Sequence, residues 1–151
     1  MTKLYLEDLA VGQKYSSGEY TLTEENIKKF ASEYDPQPFH LDEQSALAHP
    51  VFQGLAGSGW QTAAITMRLW VESFPVAGGL VGFGGEVSWK RPTRPNDVLH
   101  VESEITELRR SQSKPNQGVI TLFSQTKNQN DEVVQESTTK ILVWSKDSGV
   151  Q

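Results

Sequence analysis

The chain has no cysteine among its 151 residues. Disulfides, thiolate metal sites and a cysteine nucleophile are therefore excluded, and the absence fits a reducing, cytoplasmic setting. Basic residues are also scarce: 14 Lys and Arg stand against 19 Asp and Glu, for a net charge of −5. A nucleic-acid binder presents a net basic face, so this balance argues against one and leaves room only for a local basic patch. Long apolar runs are missing too. No window approaches the roughly 18 apolar residues of a membrane span, and the first residues carry acids where an export signal needs an apolar stretch. His40, His49 and His100 are scattered without metal-ligand spacing, so no zinc site is expected. What is left, 36% hydrophobic and 22% charged, is the make-up of one soluble globular domain over residues 1–151.

The most informative stretch present is Asp35-Pro36-Gln37-Pro38-Phe39-His40, followed by Leu41 and Asp42. Two prolines fix two φ angles and push their preceding residues out of the helical region. The spacing predicts a stiff, extended link, with an acid and an imidazole held where they have little freedom to drift. General acid–base work on a bound water needs such a pair.

Thr23 is a good N-cap, and Ile27, Phe30, Ala31 and Tyr34 then recur at helical spacing. This predicts a short helix ending just before Asp35. Residues 41–53 read as loop with one helical turn. Gly54-Leu-Ala-Gly57-Ser58-Gly59-Trp60 opens the longest helical pattern, from about Ser58 to Phe74, apolar on several sides and therefore expected to be buried. After residue 80 the pattern turns to strands: Leu80–Trp89, Val98–Leu108, Gln117–Lys127 and Val133–Trp144, with a hairpin turn at Asn128–Asp131. An earlier hairpin around Ser16-Ser17-Gly18 adds a short strand, and the tail from Ser145 is expected to fray. One long apolar helix followed by several strands reads as an α+β fold, a curved antiparallel sheet around a central helix.

Three blocks carry a resemblance: Asp35-Pro-Gln-Pro-Phe-His40-Leu-Asp42, Phe52-Gln-Gly54-Leu-Ala-Gly-Ser-Gly59-Trp60 and Trp89-Lys-Arg-Pro-Thr-Arg-Pro-Asn-Asp97. Together they resemble the MaoC-like dehydratases, also called the (R)-specific enoyl-CoA hydratase or hydratase 2 family, over roughly residues 5–145. The resemblance implies the hot-dog fold. It also implies reversible addition of water across the trans-2,3 double bond of an acyl thioester, a reaction of fatty-acid metabolism. Carried over, Asp35 and His40 form the catalytic pair. Gln37 stands where the family's hydratases usually have Asn. Gly54 matches the glycine whose backbone N–H forms the oxyanion hole. Thr62 matches a small hydroxyl residue near the pair, with Ser58 as a competing candidate.

Water addition at C3 develops negative charge on the thioester oxygen. It needs a base for the water, an acid for C2 and donors for the oxyanion; a helix N-terminus beside glycines supplies such donors. Lys90, Arg91 and Arg94 are candidates for the phosphates of coenzyme A or a phosphopantetheine arm, the only cofactor expected, and that only as part of the substrate. Trp60, Met67, Trp70 and Trp89 are candidates for lining an acyl tunnel, and core or dimer packing is the expectation for most of them. Two other readings compete. One is a hot-dog thioesterase, disfavoured because Glu72, the only acid on the long helix, lies far from the glycine-rich mouth. The other is a non-catalytic acyl-thioester-binding protein, disfavoured because binding alone needs neither Asp35 nor His40. A lone hot-dog leaves surface uncovered, so a homodimer joined sheet edge to sheet edge, or a larger assembly, is expected.

Overall fold

The computed structural model of the chain describes residues 2–151. Local rules account for the first elements. The Thr23 side chain accepts the N–H of Asn26 and caps helix α1 (Glu24–Tyr34), while Glu24 and Glu25 sit at the positive end of its dipole. Ile27 and Ala31 form its buried face. The helix stops at Asp35, with φ −151° and ψ 64°, because Pro36 disfavours a helical residue before it. Beyond that point the expectation of an extended link is corrected. Gln37 is extended, but Pro38–Leu41 form a helical turn, α2, with Pro38 at its start. There a missing N–H is no loss, and the fixed φ begins a helix instead of preventing one. Helix α3 (Glu43–Leu47) follows, with the Asp42 side chain accepting the N–H of Ser45.

Helix α4 (Gly59–Ser73) starts one residue after Ser58, whose hydroxyl accepts the N–H of Trp60 as the cap. The strands are β1 (Lys14–Ser16), β2 (Tyr20–Leu22), β3 (Val81–Trp89), β4 (Asp97–Arg110), β5 (Gln117–Lys127) and β6 (Val133–Trp144). They form one six-stranded sheet in the order β1-β4-β5-β6-β3, with β2 also on β4, and every named pairing is antiparallel. The Ser16–Gly18 turn does not close a hairpin: β1 and β2 each pair with a different part of β4. This curved sheet around α4 is the hot-dog fold. Leu69, Leu99, Ile105, Ile120, Leu122 and Ile141 are each at most 1% exposed between helix and sheet. Burial of each such side chain contributes roughly 1.5–3 kcal/mol.

Two further expectations are corrected. Helix α4 is not buried all round: Trp60, Met67 and Val71 are exposed at helical spacing, and every residue of β3, the edge strand, is exposed beside them. The C-terminal tail does not fray. Ser145 is buried, the Tyr5 hydroxyl donates to the Val150 carbonyl at 3.1 Å, and Gly78 N–H donates to the Gln151 carbonyl at 3.1 Å. Among the described residues, no helix is long and apolar enough to cross a membrane.

Candidate active site

The C-terminus of α1, the turn α2 and the N-terminus of α4 meet at one point. Asp35 ends the first, His40 lies on the second and Ser58 caps the third. His40 Nε2 lies 3.2 Å from Asp35 Oδ2, so the pair expected to converge does so. The ring is 5% exposed and held from behind: its Nδ1 lies 2.6 Å from the Ala56 carbonyl. A carbonyl only accepts, so the hydrogen of the neutral ring sits on Nδ1, which donates it. In the neutral ring Nε2 is then a bare acceptor beside the carboxylate; in the protonated ring Nε2–H donates to Asp35, and it is this charged form that attracts the carboxylate. Two atoms at this distance are in direct hydrogen-bond contact when the ring is protonated, and a water beside them on the cleft side is within reach of both.

Asp35 is fixed as firmly. The Ser58 hydroxyl donates to its Oδ2 at 2.7 Å, and the Gln37 amide donates to its Oδ1. Partial burial pushes the Asp35 carboxyl up, but the hydrogen bonds from Ser58 and Gln37 and the attraction of His40 outweigh it, so the group is held below the usual carboxylate value. At neutral pH Asp35 is an anion with both oxygens engaged. Its position near the N-terminus of α4 adds the favourable end of the helix dipole.

A cleft of about 340 Å³ opens on the His40 side of the pair, lined by His40, Phe52, Gly57, Gly59, Thr62 and Trp89 together with Lys90 and Arg91. Not every expected residue plays its expected part. The Gly54 N–H donates to the Ala46 carbonyl at 3.0 Å, so it is already engaged as a donor within the fold. The N–H at the start of α4 on Gly59, which lines the cleft, has no acceptor among the described residues. Thr62 lines the cleft too, but its hydroxyl turns back to the Ser58 carbonyl at 3.4 Å; of the two candidate hydroxyls it is Ser58 that touches Asp35. Arg94 does not line this cleft. Its guanidinium donates to the carbonyls of Phe52, Gly54 (2.8 Å) and Leu55 (3.3 Å), clamping the loop that forms the cleft wall. Lys90 pairs with Glu136 at 3.5 Å and Arg91 with Glu132 at 3.0 Å, both half-exposed and so weakly held.

Three parts of the site escaped sequence reasoning: the Ala56 carbonyl behind His40, the Arg94 clamp and the double use of Ser58 as cap and donor. A backbone carbonyl carries no sequence signal. The cap signal at Ser58 was present, three residues before the helical repeat of Gln61, Ile65 and Leu69.

The MaoC like domain family matches residues 8–128. A curated protein of Bacillus subtilis, the uncharacterized protein YdeM, is 31% identical over 142 residues, which is 91% of this chain and 97% of that one. Among solved structures, the MaoC-like dehydratase from Rhodospirillum rubrum is 51% identical with a TM-score of 0.92, covering 95% of this chain and 98% of that one. The R-hydratase PhaJ1 from Pseudomonas aeruginosa, at 23% identity, has a TM-score of 0.75 over 95% of this chain and 88% of its own; at that distance the likeness is one of fold.

Proposed function

The chain belongs to the MaoC-like domain family, and on that premise we propose that it adds water reversibly across the trans-2,3 double bond of an enoyl thioester of coenzyme A, giving the (R)-3-hydroxyacyl product. One observation carries this reading: Nε2 of a buried His40, oriented from behind by the Ala56 carbonyl, lies 3.2 Å from Oδ2 of an anionic Asp35, and His40 lines a cleft. A water held by both atoms loses a proton to the pair as its oxygen bonds to C3. The electrons of the double bond move to the thioester oxygen, and the enolate takes at C2 the proton that the pair received from the water. First-turn N–H groups of α4, that of Gly59 first, are the donors for the oxyanion; one such donor is typically worth about 3–4 kcal/mol of barrier. The reaction as written needs no metal or redox group, and coenzyme A enters only with the substrate. Lys90 and Arg91 flank the route its phosphates take.

The same reading includes a homodimer. Strand β3 has a neighbour on one side only among the described residues, and its exposed Val81, Phe83, Val87 and Trp89 lie beside the exposed Trp60, Met67 and Val71 of α4. A second β3 pairing antiparallel with the first completes its hydrogen bonds and covers this apolar surface. Nothing favours hydrolysis: Glu72 is exposed near the far end of α4, paired with Arg68 at 2.9 Å. Incubation with crotonyl-CoA tests the choice. Loss of enoyl absorbance without thiol release is expected; thiol release at a comparable rate would make the protein a thioesterase.

A further inference from the structure

His49 stands next to the catalytic pair and has no part in the chemistry proposed for it. It is half-buried, and its ring meets Phe39 at 5.0 Å and Phe52 at 5.1 Å between centroids. Phe39 in turn meets Phe52 and the ring of His40, each at 4.5 Å. His49 Nδ1 accepts the backbone N–H of Val51 at 3.1 Å and that of Phe52 at 3.4 Å. Both residues line the cleft with His40. Among the described residues these two N–H groups have no other acceptor. The His49 carbonyl accepts the N–H of Gln53 at 3.0 Å and closes the turn. With Pro50 in its first position, this is the arrangement of a capped helix start. A side chain satisfies the second and third N–H groups, and the first residue has none to satisfy. The acceptor at such a place is ordinarily Ser, Thr, Asp or Asn, none of which takes up a proton near neutral pH. An imidazole accepts through Nδ1 only while that nitrogen is bare, and histidine is the side chain that changes charge between about pH 5 and 8.

We propose that His49 is a positioning residue of this site: its neutral ring holds Val51 and Phe52 in the cleft wall, and its protonation releases them, so that the acyl thioester binds less tightly at acid pH. The inference rests on the hydratase reading and adds a pH dependence to it. A proton on Nδ1 points at the two N–H groups it used to accept, which leaves two donors unpaired and repelled. Phe52 moves with its own N–H, and Phe52 is the ring that joins the cleft wall to Phe39 and, through it, to His40. The carbonyl side of the turn is untouched, because Arg94 holds the Phe52 and Gly54 carbonyls at any pH in this range. The charged groups on the elements packed around His49 are few. They are Asp35 and His40 beyond Phe39, Asp42 and Glu43 at the start of α3, and Arg94. Asp42 is engaged with Ser45, and Arg94 with its carbonyls. No carboxylate among the described residues comes within 4.0 Å of the His49 ring. The hydrogen-bond partners of its Nδ1 are the two N–H groups, and they fit the bare nitrogen alone.

The test compares wild type, His49→Asn and His49→Ala on crotonyl-CoA between about pH 5.5 and 8. Asparagine keeps an acceptor and takes up no proton; alanine has no acceptor. His40 and the coenzyme's phosphates titrate in all three reactions, so a difference between the proteins belongs to position 49. Loss of a cap shifts an equilibrium about fivefold. From high to low pH the KM of the wild type is therefore expected to rise about fivefold more than that of His49→Asn, with the ratio of their kcat values constant within twofold. His49→Ala is expected to show a KM about fivefold above that of His49→Asn at both ends of the range. Should His49→Ala fail to fold, nuclear magnetic resonance of the wild type reads the same contact: the amide protons of Val51 and Phe52 move upfield together as the His49 ring takes up its proton. Calorimetric titration with butanoyl-CoA follows binding without turnover. The same fivefold split in its affinity, with no hydration of any enoyl-CoA, keeps the positioning role and overturns the hydratase reading. A KM that changes with pH alike in wild type and His49→Asn overturns the role and leaves the hydratase reading standing. So does a wild-type KM that falls at acid pH relative to His49→Asn, as attraction of the phosphates to a charged ring would give, or a pair of amide signals that ignores the ring.

Discussion

The two halves of α4 are built on opposite principles. Its N-terminal half meets the rest of the protein through directional bonds: Ser58 to Asp35, Thr66 to Thr126, and Gln135 to Thr66. Its C-terminal half meets the sheet mainly through bulk, with Leu69 and Phe74 packed into a cluster with Ile105, Ile120, Leu122 and Ile141. Even Trp70 there buries a large ring and uses its single N–H on Ser103 and Ser124. Burial is non-directional and supplies stability in proportion to area. Hydrogen bonds add little net stability but fix position. The half that must hold reacting groups to within tenths of an ångström is the polar one.

That contrast breaks if damage to either half has the same consequence. At the polar end, Asp35→Asn and His40→Gln are each expected to lower kcat/KM for crotonyl-CoA by about 10²- to 10⁴-fold. The unfolding free energy should move by about 1 kcal/mol at most, read from urea denaturation. At the apolar end, Leu69→Ala removes a side chain 1% exposed and is expected to cost about 2–5 kcal/mol in the same denaturation experiment, with kcat of the folded fraction nearly unchanged.

Much of this division was legible in the sequence, for reasons that differ by element. The bounds of α1, α4 and β6 follow from caps, prolines and apolar spacing, all local properties. Asp35 and His40 stood out because two prolines lie between them. The turn α2 was missed because Pro38 is read first as a helix breaker, whereas at a helix start it is a helix former. The engaged Gly54 N–H and the Arg94 clamp were missed because both depend on partners distant in the chain or on backbone carbonyls, neither of which local pattern encodes. The exposed stripe of α4 was left between core and dimer packing because apolar periodicity cannot say whether the covering surface belongs to the same chain.

Smaller effects sharpen the comparison. Ser58→Ala strikes both functions at the junction: loss of the cap is expected to cost about 1 kcal/mol, while loss of the bond to Asp35 lowers kcat. The pH dependence separates the two. Asp35 has its carboxyl held low in the folded chain, so its stabilising contribution is present above its unfolded value and disappears as pH falls through the folded one. Ser58→Ala removes one of the bonds holding it low, so the acid loss of stability should begin at a higher pH, visible in denaturation between about pH 3 and 5. Last, Val87→Lys on the exposed edge strand should shift sedimentation towards a single-chain particle while leaving the spectrum of the folded chain unchanged. An unshifted particle would place the contact between copies elsewhere.

The central claim is that His40 and Asp35 together deliver one water to C3. Crotonyl-CoA incubated in isotopically labelled water tests it most directly, with the product analysed for label and for configuration. The wild type should yield (R)-3-hydroxybutanoyl-CoA labelled at the C3 hydroxyl, and His40→Gln should yield almost none in the same time. Equal label from both proteins, or label found only in a released carboxylate, would contradict the account.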